Sequence, residues 1–164
     1  MAETGAHFDG PATVVPPAAG DAALNFLTDF GNASPTDTAQ AQRISQAGQQ
    51  MKSLALSGGF AISQEGFDRY KKACTDFLDG YTDVVHDLGT VAYPAPMGSS
   101  PYAYQVANFN VKVAGGDDQS LIPNLNLMKS GVEQALEALE IARKSYSEAD
   151  EAHNQSLTKL NGDL

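Results

Sequence analysis

Tryptophan is absent from this chain, cysteine occurs once, at Cys74, and only three histidines are present. No stretch reaches the roughly 18 consecutive apolar residues that a membrane-spanning helix needs, so no membrane insertion is expected. A single cysteine excludes an intramolecular disulfide framework. Positive charge is scarce as well, with 10 Lys and Arg against 20 Asp and Glu, a formal net charge of −10 and a pI near 4.5. Binding a phosphate backbone or an anionic membrane surface requires a cluster of cations, so neither partner is expected. The first basic residue is Arg43, so the charged start of a cleaved secretory signal is lacking. The expectation is a protein that is secreted without a cleaved signal peptide, or is cytoplasmic before export.

The residues of common active sites are missing too. His7, His86 and His153 are far apart, and none has a second histidine at metal-ligand spacing. There is no Gly-x-Ser-x-Gly elbow, phosphate loop or dinucleotide fingerprint. The acidic pairs Asp76 with Asp79 and Glu148 with Glu151 fall on polar helix faces, and Cys74 falls on an apolar stripe with no neighbouring cation or base to make a thiolate. The expectation is a non-enzymatic protein with no catalytic residue, no metal and no cofactor.

What the chain does have is helical periodicity. Over residues 120–160, Leu121, Leu125, Met128, Val132, Ala135, Leu139, Ala142, Tyr146 and Ala149 recur in alternating steps of four and three. That is a heptad seam, and Glu133, Glu137, Glu140, Arg143, Lys144, Glu148 and Glu151 occupy the other face. A helix of about 40 residues would be roughly 60 Å long, which calls for a second long helix beside it. Residues 63–89 supply one. Ser63 is placed to cap it, with Ile62 and Phe67 positioned as a hydrophobic staple. Phe67, Tyr70, Cys74, Phe77, Tyr81, Val84 and Leu88 then form a second seam that ends near Gly89. The seam residues of these two helices are the expected helix–helix interface.

Shorter elements surround the pair. Residues 1–20 are rich in Ala, Gly and Pro and read as a flexible arm, and 21–164 as one helical domain with a hairpin core at 60–160. Asp21 is placed to start a short helix that Gly31 and Asn32 end, and Asp37 to cap another that carries Ile44, Ala47, Met51 and Leu54 and stops at Ser57-Gly58-Gly59. Gly48 weakens that helix by about 1 kcal/mol relative to alanine. The prolines from Pro94 to Pro101 mark a loop. Residues 102–114 suit a helix by the spacing of Val106, Phe109 and Val113, and a strand by their β-branched content; a strand would have no partner, which favours helix. Ser120 is placed to cap the last helix. The predicted fold class is all-α, an extended antiparallel hairpin of two long helices with one or two shorter N-terminal helices.

One short pattern lies within the last helix. Tyr146-Ser147-Glu148-Ala149-Asp150 fits Tyr-x-x-x-Asp, and none of the other five tyrosines has an acid four residues on. Together with GFAISQEGFDRYKKACTDFLDGY and ARKSYSEADEAH, this resembles actinobacterial type VII secretion substrates related to the Trp-x-Gly helical-hairpin superfamily, over roughly residues 59–160. The resemblance implies that Tyr146 and Asp150 form half of an export signal, whose other half is the Trp-x-Gly turn of a partner. This chain has no Trp, and a long loop replaces that turn. It would then need a partner: a Trp-x-Gly helical protein, a larger effector or a secretion ATPase. The expected function is a secreted substrate or an escort of such an effector. A self-associating scaffold subunit of a cell-envelope, spore or phage assembly is the alternative, and a cytosolic chaperone or antitoxin a third.

Overall fold

The computed structural model describes residues 26, 28–60 and 62–162, and the side chains among them as far as Ala149, with Glu151. The arm at 1–20 and the Asp21 cap lie outside the described residues. The fold is all-α, with no strand among the described residues. A helical turn at 28–31 precedes α1 (Thr38–Leu56), α2 (Gln64–Val91), α3 (Pro101–Gly115) and α4 (Leu121–Gly162).

Local chemistry sets the helix ends. Asp37 accepts from the Gln40 amide at 3.0 Å to start α1, and Ser63 accepts from the Gly66 amide at 3.1 Å to start α2. α1 closes in a Schellman turn: Gly58 adopts φ +73°, its amide donates to the Ala55 carbonyl, and the Gly59 amide donates to that of Leu54. α2 runs past Gly89 to Val91, because nothing at Gly89 requires a positive φ and Pro94 lies beyond the helix. Residues 102–114 are helical within α3, with the Ser100 hydroxyl accepting from the Ala103 amide and Pro101 in the first turn.

Ser120 stands at the start of α4, and its carbonyl accepts from the Asn124 amide. Its side chain does not cap that helix. The buried hydroxyl accepts from the Asp117 amide at 3.0 Å and faces the Lys112 carbonyl at 2.6 Å, tying the α3–α4 turn to the end of α3.

α4 is the central element. α2 runs antiparallel to it: Arg143 sits over the Phe67 ring, Lys71 pairs with Glu140 at 3.3 Å, and Tyr81 donates to the Asn126 side chain. α1 runs parallel to α4, with Asn124 donating to the Pro35 carbonyl at 2.9 Å, Gly48 against Gly131, and Lys52 paired with Glu137. The shorter N-terminal helix expected beside the two long ones is α1, and it makes the most extensive contact with α4. Its reason is steric. A Cβ built on Gly48 would stand 2.8 Å from the Gly131 Cα, and one on Gly131 2.7 Å from the Ile44 carbonyl carbon. The missing side chains let the two backbones touch, so Gly48, which in an isolated helix is a liability, marks the crossing point of α1 and α4.

Two flanking helices widen the buried arc of α4 beyond a heptad seam. Leu125, Met128, Val132, Ala135, Leu139 and Ala142 are buried as their spacing implies, and Asn124, Gly131 and Ala138 are buried beside them. On α2, Phe67 and Cys74 are buried, and Tyr70, Phe77, Tyr81 and Leu88 are partly buried against the core. Val84 is not in the interface. It is 48% exposed, and Val85 packs on the core in its place. A straight helix repeats at 3.6 residues and not 3.5, so its apolar stripe drifts off a strict heptad. Phe30 bridges to α2, edge-on to Phe77 at 5.3 Å and stacked on Phe26 at 5.7 Å.

Candidate functional site

The described residues contain no cluster of three or more His, Cys, Asp or Glu that could hold a metal ion. Cys74 is buried between α2 and the core, and desolvation pushes its thiol up from 9.0 to about 11. A thiol so shifted stays protonated and is a poor nucleophile at neutral pH. His86 is exposed on α2.

A different kind of site lies where α4 leaves its neighbours. α1 ends at Leu56, and the Gly58 turn sends Phe60 back into the core. Ala55, Gly58 and Phe60 then face Ala142, Ser145, Tyr146 and Ala149 of α4 across an open recess of about 190 Å³. Ala142 is the last residue of α4 that is described as buried. One turn later Tyr146 lines the recess and is 47% exposed.

Side-chain contacts surround this point of α4. The Ser145 hydroxyl donates to the Ile141 carbonyl at 3.1 Å, and Arg143 lies 4.8 Å from the Phe67 ring centroid, a cation–π contact. Lys144 and Glu148 approach to 3.8 Å on the outer face. Asp150 follows Tyr146 by four residues in the same helix, so its Cα sits about one turn further along the same face. Its side chain lies outside the described residues. An aromatic surface beside a small apolar recess, on an exposed helix, suits recognition by a groove that reads one helix face. The described lining of the recess is Ala55, Gly58, Phe60, Ala142, Ser145, Tyr146 and Ala149.

The spacing of the sequence singled out Tyr146 but missed Phe60 and Gly58, which form the opposite wall. The signal was the Gly58-Gly59-Phe60 run, a turn that returns an aromatic residue toward the helices it joins.

No protein-family model matches this chain, and no curated protein or solved structure matches it. No helix of the described residues is long and apolar enough to cross a membrane.

Proposed function

We propose that this chain is a non-enzymatic component of an actinobacterial type VII secretion system, exported as a substrate or as the escort of a larger effector, with Tyr146 and Asp150 on α4 as its part of the export signal. The observation that carries the reading is the half-exposed Tyr146 one turn beyond the last buried residue of α4. An aromatic residue at that place is available to a partner without unfolding the bundle. An acid one turn further along supplies a charged second contact to the same groove. The missing Trp-x-Gly half would come from a helical partner protein.

The test is export from an actinobacterial host with a working type VII system. Tyr146→Ala abolishes the appearance of the protein outside the cell, while its thermal midpoint shifts little because half of the side chain is already in water. Tyr93→Ala, an equally aromatic change at a 76% exposed loop residue, leaves export intact. Export of the Tyr146→Ala protein at the unmodified level overturns the reading.

The exposed aromatic residues of α3 favour a second reading, a scaffold subunit that self-associates. Light scattering separates the two: a scaffold forms large oligomers alone, and an export substrate forms a monomer or a small closed assembly.

A further inference from the structure

The outward face of α3 has features that the export reading does not use. Residues 89–116 contain no Asp or Glu and a single cation, Lys112, in a chain with a net charge of −10. Lys112 lies 3.9 Å from Asp117, which balances it. Along α3, Tyr102, Val106, Phe109 and Val113 step by four, three and four, so they share one helix face. Tyr102 is 75% exposed and Phe109 66% exposed, while small residues, Ala107 and Ala114, take the buried side. Beside Phe109 and Val113, the residues Leu88, Val91, Ala114 and Leu121 line a recess of about 200 Å³. A ridge of apolar knobs and a hole to receive one therefore lie on the same surface.

We propose that this face is the interface of a homodimer, in which α3 of one copy packs antiparallel against α3 of the other. Two observations select a second copy as the occupant. The first is charge. Two molecules each bearing −10 repel, and this acid-free stretch lets them touch without acid facing acid. The second is register. A spacing of four, three, four reads the same in both directions, so an antiparallel pair related by a twofold axis brings Tyr102 opposite Val113 of the other copy and Val106 opposite Phe109. That is the self-complementarity an isologous contact requires. In that register the Tyr102 ring of one copy, opposite Val113, stands over the recess of the other, a knob above a hole, and the two Phe109 rings flank the twofold axis. The proposal is independent of Tyr146, whose recess lies at the far end of α4 from α3.

Sedimentation equilibrium of the full chain over a concentration series tests it. The expected result is a mass rising from 17.2 kDa toward twice that value. Phe109→Asp weakens dimerisation by about thirtyfold or more, the loss associated with removing an interface anchor. Val84→Asp, which adds the same charge at an exposed site on α2, leaves it unchanged. Cysteine pairing tests the register. Tyr102→Cys and Val113→Cys proteins, mixed and oxidised, cross-link between chains far more than either variant alone, and the buried Cys74 does not interfere. A wild-type chain that stays monomeric throughout the series overturns the proposal, as does a Phe109→Asp protein that dimerises normally. Equal cross-linking in the mixed and separate samples overturns the antiparallel register.

Discussion

A methyl group at Gly48 has no room, whereas one at Gly80 meets nothing within 4 Å. The two glycines sit in neighbouring helices and look alike in a one-dimensional reading, since each lowers helix propensity by about 1 kcal/mol relative to alanine. Their opposite surroundings give opposite outcomes. Gly48→Ala drives Cβ into the Gly131 backbone, which cannot move aside as a flexible side chain would, and the expected loss is about 2 kcal/mol in urea unfolding. Gly131→Ala meets the backbone of Ile44 and Ser45 and costs a similar amount. Gly80→Ala gains about 0.5–1 kcal/mol, through helix propensity and a less disordered unfolded chain. If all three variants gain stability, α1 and α4 do not cross at these glycines.

Among the helices, α2 shows what a periodic pattern can and cannot reveal. Its start was legible because Ser63, Ile62 and Phe67 act within one turn of each other. The first half of its seam, from Phe67 to Tyr81, faces the core as its spacing implies. The second half was not legible in full, since a choice between Val84 and Val85 depends on how far the stripe has drifted by the fifth turn of a straight helix. Val85→Ala removes partly buried methyl groups and costs about 1 kcal/mol. Val84→Ala, at a largely exposed position, costs less than about 0.5 kcal/mol. Equal losses in denaturant unfolding would put the strict heptad back. The pairing of α1 with α4 was hidden for another reason: no local pattern joins Gly48 to Gly131, which are 83 positions apart (131 − 48). Tyr146 was legible as a motif, whereas the wall opposite it, Phe60 and Gly58, is set by where the α1–α2 turn lands against α4.

Across the whole molecule, burial is distributed unevenly, and local stability should follow it. α4 between Met128 and Ala142 is covered by α1 on one side and α2 on the other, and α1 meets it through backbone contact at the glycine crossing. α3 has only Ala107 and Ala114 buried, and it touches the ends of α2 and α4 alone among the described helices. A helix held by so little apolar area opens at a small fraction of the global unfolding free energy. Native-state hydrogen exchange is therefore expected to rank the amides of α4 from 128 to 142 and of α1 as slowest, α2 as intermediate and α3 as fastest. Protection of α3 equal to that of central α4 in dilute protein would contradict this order. The dimer adds a condition that links the two scales. Packing against a second α3 buries the stripe at Tyr102, Val106, Phe109 and Val113, so α3 amides slow as concentration rises, and the amides of central α4, which exchange through global unfolding, slow by a similar factor because only the folded chain dimerises. Phe109→Asp removes that dependence and leaves the dilute-protein order intact, since Phe109 is two-thirds exposed in the single chain.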